Sequence, residues 1–232
     1  MEDLSTHQPM MSILLQLPLF QGLTLDHLLR VLEKVRPNFT HATDECFIKQ
    51  GSHHDQMMYV LNGTVQREHK DKTGRLTFCE TLQGTRLIEP DTMFGRMAEY
   101  EASYHAVGHV SMLWLDKKCL FTIFNHFDVV QLNILNLLSA QSQTQSDKVA
   151  CPISGIPIKD FYSLVWKNSL VPSGAKEITC NRHVLAELLG CSRRRLSEEI
   201  VEYETKGLLA TTYGGIIIPD LARFGAEVEN EK

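Results

Sequence analysis

Long hydrophobic runs are missing from this chain. No stretch reaches the roughly 18 apolar residues that cross a hydrocarbon layer, so no membrane span is expected. A basic leader is missing too, because the first residues, Met1-Glu2-Asp3, are acidic. Cysteine pairs at metal-ligand spacing are absent: Cys46, Cys79, Cys119, Cys151, Cys180 and Cys191 are scattered, with no CxxC among them. That argues against a cysteine-ligated metal or iron–sulfur cluster. It fits free thiols in a reducing cytoplasm, with a single redox-reactive cysteine left open. Paired carboxylates, a nucleophile beside a base and a glycine-rich phosphate loop are also lacking, so no enzyme is expected. There is no excess of positive charge. A net charge of −5 rules out wholesale coating of nucleic acid. Any contact with it must come from a local patch, offset in the sum by Glu227, Glu229 and Glu231.

What is present suffices for a sizeable core: 232 residues, 43% of them hydrophobic, and no internal repeat. Residues 8–36 read as helical, with Pro18 breaking an apolar stretch, Thr24 capping Leu25–Val35 and Pro37 ending it. From about 43 to 118 the pattern is of short strands and turns, a barrel or roll. Tyr59-Val60-Leu61-Asn62-Gly63-Thr64-Val65 reads as strand, Asn-Gly turn and strand. Lys72-Thr73-Gly74-Arg75 and Gln83-Gly84-Thr85 are further turns, and Val107–Leu115 is another strand. From about 119 to 145 the period becomes that of one long helix, apolar on most faces. Phe127, Val130, Ile134 and Leu137 recur near 3.5 residues, a seam for a parallel dimer, the alternative being a core helix of a single chain. Gln141-Ser142-Gln143-Thr144-Gln145-Ser146, followed by Pro152, Gly155 and Pro157, reads as a hinge.

Residues 182–203 read as a short helix, a tight turn and a second helix. Leu185, Leu188 and Leu189 make one face apolar, and Ala186 is small enough for a second helix to cross closely. Gly190 ends the first helix and Ser192 caps the next. Leu196, Ile200 and Tyr203 form the buried side of the second helix, with Arg193, Arg194 and Ser197 opposite. Arginines at a helix N-terminus oppose the helix dipole. A polyanion would compensate for them, so DNA binding is expected, against the plainer reading of a helical hairpin with solvated arginines. Thr211 to Ile218, two β-rich runs joined by Gly214-Gly215, make a hairpin that would be a wing, contacting DNA backbone or capping the core.

In this order, roll, long helix, hinge and winged helix, the chain resembles the cAMP receptor protein and Fnr family of bacterial transcription regulators over nearly its whole length. Leu17-Pro18-Leu19-Phe20-Gln21-Gly22-Leu23 is similar to the family's opening motif, and Tyr59–Val65 to the hairpin of its roll. Leu188-Leu189-Gly190-Cys191-Ser192-Arg193 is similar to its helix-turn-helix, the most specific of the three matches. The resemblance implies an α+β chain: a cyclic-nucleotide-binding-like double-stranded β-roll over residues 1–120, a dimerisation helix and hinge over 121–146, and a winged helix-turn-helix over 147–232. It implies a cytoplasmic homodimer that binds an inverted repeat in duplex DNA, with RNA polymerase a further candidate partner. The recognition helix would read bases through Arg193, Arg194 and Glu198, with Ser197 beside them, while Arg182 and the Ser192 backbone hold phosphates. Arg194 and Glu198 stand where the cAMP receptor has a glutamate and an arginine, so the operator should differ. Glu198 would accept from cytosine N4 or pair with Arg194. Glu199 stands where the family is usually apolar, and the sequence offers no account of it.

The sensor departs further. The family's cAMP pocket follows Phe-Gly-Glu with an Arg-Ser pair downstream; here Phe94-Gly95-Arg96 is followed by Tyr100 and Glu101. Arg96, Tyr100 and Glu101 are therefore the candidate effector residues, but Glu101 would repel a phosphate, so cAMP is not expected. Arg96 pairing with Glu99 or Glu101 is the plainer alternative. His53 and His54, His105 and His109, and His126 leave haem open as a cofactor, although residues four apart on a strand are too distant for one small ion. The competing class is a cupin-like metal-binding barrel using the roll histidines, for which adjacent histidines point apart and fit poorly; no metal ligands are assigned.

Overall fold

The computed structural model describes residues 8–35, 37–149 and 154–230. Met1-Glu2-Asp3, Cys151 and Pro152, on which the leader, one thiol and part of the hinge were read, lie outside the described residues. In chain order the elements are α1 (Gln8–Gln16), a 3-10 turn (Pro18–Phe20), α2 (Leu25–Val35), β1 (Asn38–Thr43), β2 (Cys46–Ile48), β3 (Gln56–Lys70), β4 (Leu76–Gln83), β5 (Arg86–Ile88) and β6 (Ser103–Asp116), followed by α3 (Lys117–Phe124), α4 (Asp128–Val149), α5 (Pro157–Asn168), β7 (Lys176–Cys180), α6 (Arg182–Leu188), α7 (Arg193–Thr205), β8 (Ala210–Thr211), β9 (Gly215–Ile218) and α8 (Leu221–Asn230). It is a mixed α/β chain whose assigned strand pairs are antiparallel. It divides into two compact units, one of residues 1–64, 83–101 and 106–144, the other of 65–82, 102–105 and 145–232.

In the first unit β1 pairs with β6 from Asn38↔Trp114 to Thr43↔His109, and β3 pairs with β5 from Met58↔Ile88 to Val60↔Arg86. Leu14, Leu17, Leu19 and Phe20 are all sealed from solvent, packed with Tyr59, Leu113, Leu120, Val130 and Ile134. The Asn133 amide donates to the carbonyls of Leu19 (3.0 Å) and Gln21 (2.8 Å), fastening α4 onto that opening segment.

Four sequence expectations change here. Asn62-Gly63 is not a turn, because β3 runs straight through it. Gly63 has φ +115°, and a Cβ there would lie 2.7 Å from the His109 carbonyl oxygen. The glycine permits a close backbone approach instead. The helix expected from 119 to 145 is two helices, since the chain breaks at Asn125–Phe127 before α4 begins. The dimer seam also changes. Val130 and Ile134 are buried in this unit's own core with Phe127 packed against it, while Leu132 (58% exposed) and Leu135 (59%) face outward. Finally, Gln141–Ser146 is not an irregular linker but continues α4, with Thr144 Oγ1 donating back to the Ala140 carbonyl (3.0 Å), and the division between the two units falls within it, after Thr144.

The second unit gathers β4, β7, β9 and β8 side by side. β4 pairs with β7 from Leu76↔Cys180 to Glu80↔Lys176, and β7 with β9 from Lys176↔Ile218 to Thr179↔Gly215. Helices α5, α7 and α8 meet edge to face at Phe161–Phe224 (6.2 Å) and Tyr203–Phe224 (5.6 Å). Inside this unit the Glu80 carboxylate is fully enclosed. It accepts from Lys176 Nζ (2.9 Å), Arg67 Nη1 (3.3 Å) and the backbone N–H of Leu170 (2.9 Å). Arg67 also reaches the Asn168 carbonyl (3.0 Å), and buried Lys148 reaches that of Ser169 (2.5 Å). Burial pulls the Lys148 ammonium below its ordinary range, against the raising influence of Glu80. Arg67 Nε is buried without a hydrogen-bond partner, so the cluster is satisfied at its charged ends but not completely.

Candidate nucleic-acid interface

The candidate interface lies on α6 and α7. Asn181 caps α6 through its side chain, which accepts from the His183 N–H (2.8 Å). Gly190, at φ +62°, takes the left-handed backbone that stops the helix, and the Cys191 N–H closes the turn on the Ala186 carbonyl (3.0 Å). Two residues later the Ser192 hydroxyl accepts from the Arg195 N–H (3.2 Å) and starts α7. Leu196, Ile200 and Tyr203 are buried with Leu185 and Ala186, which sets the crossing of the two helices. Leu188 departs from expectation: it is 52% exposed, while Leu189 is the residue packed on the core.

The opposite side of α7 carries the charge. Arg194 Nε donates to Glu198 at 2.8 Å and Arg195 Nε to Glu199 at 3.2 Å, each one turn on. Arg193, Arg194 and Glu198 are exposed and Ser197 half-buried. Among the described residues Arg193 has no carboxylate partner, so it is the uncompensated cation at the start of α7. Glu199, which the sequence left without a role, also accepts from the backbone N–H of Ile158 (2.8 Å), meeting an orphan donor at the start of α5. That contact is long-range, and no local signal could have revealed it.

Arg182 lies at the start of α6, half-buried. Its Nη2 donates to Thr211 Oγ1 (3.0 Å) on β8, while Nη1 is buried with no hydrogen-bond partner. Burial holds the guanidinium below its usual range, Glu204 opposes this, and Arg193 nearby lowers it further. Glu204 in turn accepts from the Thr211 N–H (2.9 Å), so α7 and α6 together seat the β8–β9 hairpin. At its tip Thr212 N–H bonds the Gly215 carbonyl and Tyr213 is fully exposed. A Cβ on Gly215 would lie 2.4 Å from the Ile178 carbonyl oxygen, the tight approach for which this glycine is needed. Arg182, Ser192, Arg193, Arg194, Ser197 and Glu198 therefore share one helix–turn–helix, with the hairpin beside it.

The effector candidates are not gathered in this way. An open cleft of about 380 Å³ in the first unit is lined by Phe47, Lys49, His53, Gln56, Tyr100 and Trp114, among others, but not by Arg96 or Glu101. Arg96 is exposed, with no carboxylate paired to it among the described residues, so the pairing with Glu99 or Glu101 does not form. The Glu101 N–H donates to the Glu89 carboxylate (2.6 Å). Tyr100 is buried, donates to the Gln56 carbonyl (3.2 Å) and stacks on His54 at 3.9 Å between ring centres. His54 is wholly enclosed, with Nδ1 on Thr92 Oγ1 (2.9 Å) and Nε2 lacking a well-aligned partner. Desolvation brings its pKa down to about 4, so the ring is neutral.

His54 is not placed to ligate a haem. His54 has one face covered and both nitrogens enclosed. His41 and His109 stack at 4.9 Å on an exposed strand face with hydroxyl partners, and His126 Nδ1 lies 2.8 Å from the Thr122 carbonyl oxygen. Among the described residues no three His, Cys, Asp or Glu side chains converge as a metal site would need. Burial also pushes the Cys79 and Cys119 thiols up to about 11, holding them protonated and poorly nucleophilic.

No family model matches the sequence, and no curated protein matches it. Solved structures do match. The sensor domain of the transcriptional regulator DNR from Pseudomonas aeruginosa is 17% identical, with a TM-score of 0.52 over 63% of this chain and 97% of that one. The catabolite activator protein of Thermus thermophilus is 20% identical, covering 91% of this chain and 97% of its own, with a TM-score of 0.46. Full-length DNR is 17% identical, covering 97% and 99%, at 0.47. Over the residues it covers, the match to the DNR sensor domain shows a shared fold.

Proposed function

We propose that this chain is a cytoplasmic, homodimeric, sequence-specific DNA-binding regulator of transcription. Residues 147–232 act as a winged helix-turn-helix, residues 1–120 as the effector-sensing roll and 121–146 as the dimerisation helix. The observation that carries this reading is the start of α7, where a capped helix with three arginines leaves Arg193 unpaired and exposed beside an exposed hairpin tip. Leu132 and Leu135, outward on α4, supply the apolar contact between protomers. Two-fold symmetry then places the recognition helices on successive major-groove faces, with half-sites roughly 34 Å apart. The effector is not cAMP, because Arg96, Tyr100 and Glu101 do not form a phosphate cradle.

The test is selection of duplexes from a random pool by the full chain, followed by binding of the selected duplex against scrambled competitors. Arg193→Ala should remove roughly 1–3 kcal/mol of discrimination. Arg182→Ala should weaken every duplex alike, since it acts through the backbone and the hairpin. Retention of no duplex at low salt would end the proposal.

A further inference from the structure

The exposed face of α7 carries one large apolar side chain that packing does not account for. At about 100° per residue, Arg194, Ser197, Glu198, Val201 and Thr205 lie along one strip of the helix, opposite Leu196, Ile200 and Tyr203. Every member of that strip is polar except Val201, which is 56% exposed and is the one large apolar side chain so exposed among the described residues of α7. An isolated surface valine would mean little. This one is flanked by Glu198, which holds Arg194 at 2.8 Å, in the middle of the strip that would enter a groove. A β-branched side chain in a helix has essentially one χ1 rotamer. Its isopropyl group is therefore held in place, leaning over the turn that bears Ser197 and Glu198.

We propose that Val201 is a specificity residue, contacting the C5-methyl group of a thymine in the operator. This inference rests on the DNA-binding reading above and extends it. The reason lies in what a major groove offers. Its floor is lined with hydrogen-bond donors and acceptors, and the thymine methyl is its apolar group. Pressing an isopropyl group onto a base edge without that methyl would desolvate polar atoms and return nothing. Val201 thus favours thymine by contact and disfavours other bases by exclusion. It sits seven residues beyond Arg194, about 10 Å along the helix at 1.5 Å per residue. The base pair it reads is therefore at most about three steps from the one facing Arg194, at 3.4 Å per step.

Deoxyuridine isolates the effect, because it removes the methyl and leaves the pairing and the O4 acceptor intact. The full chain and its Val201→Ala variant are titrated against the selected duplex and against duplexes in which each thymine of both half-sites is replaced in turn by deoxyuridine. Circular dichroism confirms the fold of the variant, which the exposure of Val201 should leave unchanged. With the wild type, one replacement should weaken binding about fourfold per half-site, the worth of one buried methyl. With Val201→Ala that penalty should disappear at the same position while those elsewhere persist. Equal affinity for every deoxyuridine duplex, or an unchanged penalty in the variant, would overturn the assignment and leave DNA binding standing. Failure of the chain to select any duplex would overturn both.

Discussion

Two sets of cations in the second unit meet opposite fates. Arg67 and Lys176 are enclosed and share the Glu80 carboxylate, with Lys148 bonded to the Ser169 carbonyl beside them. Arg193, Arg194 and Arg195 crowd the first turn of α7, exposed, two of them leaning on glutamates one turn on and Arg193 on none. Burial makes the first set structural, because each charge removed from water needs a fixed partner. Exposure leaves the second set with weak, screened pairs that a stronger anion can displace. The difference teaches that position, rather than residue type, separates the cations that hold this fold from those free to bind.

The comparison breaks hardest at Glu80. Glu80→Ala strands two buried cations and should cost about 3–5 kcal/mol in urea unfolding, and Glu80→Gln should be costly too, since its amide NH2 would face donors on one side and neither Arg67 nor Lys176 would keep a counter-charge. A loss under 1 kcal/mol for the alanine variant would show that the cluster is not what joins these strands. A second test sets charge against neutrality in the first unit. His54 titrates near 4 in the folded chain and near 6.5 unfolded, so between those values the unfolded state binds more protons. Stability should therefore be full above about pH 6.5 and fall as pH drops towards 4, by up to about 3 kcal/mol at 1.36 kcal/mol per pH unit. Unfolding curves at pH 7 and pH 5 should separate in the wild type and converge in His54→Leu. The smallest effect belongs to α7: Arg194→Ala should change stability by less than about 0.5 kcal/mol, since its pair with Glu198 is exposed. A larger loss would place that arginine with the structural cations after all.

How much of this was legible in the sequence depends on the range of the contacts. The stop at Gly190, the cap at Ser192 and the face of Leu196, Ile200 and Tyr203 are local, and the structure has them as read. Asn62-Gly63 misled because a glycine needed for close approach and one needed for a turn look alike in sequence. Val130 and Ile134 misled because a seam towards a partner and a seam towards one's own core share the same spacing. The Glu80 cluster left a faint signal, a glutamate at an inward position between Phe78 and Leu82 on β4, and Arg67 inward on β3, but nothing to say that they meet. Val201 was likewise visible only as a valine.

From the sequence alone came the parts governed by neighbours within a few residues: the stop at Gly190 and the cap at Ser192, the arginine-bearing turn, the hairpin at Gly214-Gly215 and the absence of any long apolar span. Such features depend on backbone preferences and short-range hydrogen bonds, which the residue order specifies directly. Tertiary structure decided which carboxylate neutralises which cation, which leucines of α4 point outward, where Glu199 caps α5 and how His54 stays neutral. Those outcomes rest on burial and on partners as many as 96 residues away, as between Glu80 and Lys176. The free energy of a charge or a methyl group is set by what surrounds it, and only the folded chain supplies those surroundings.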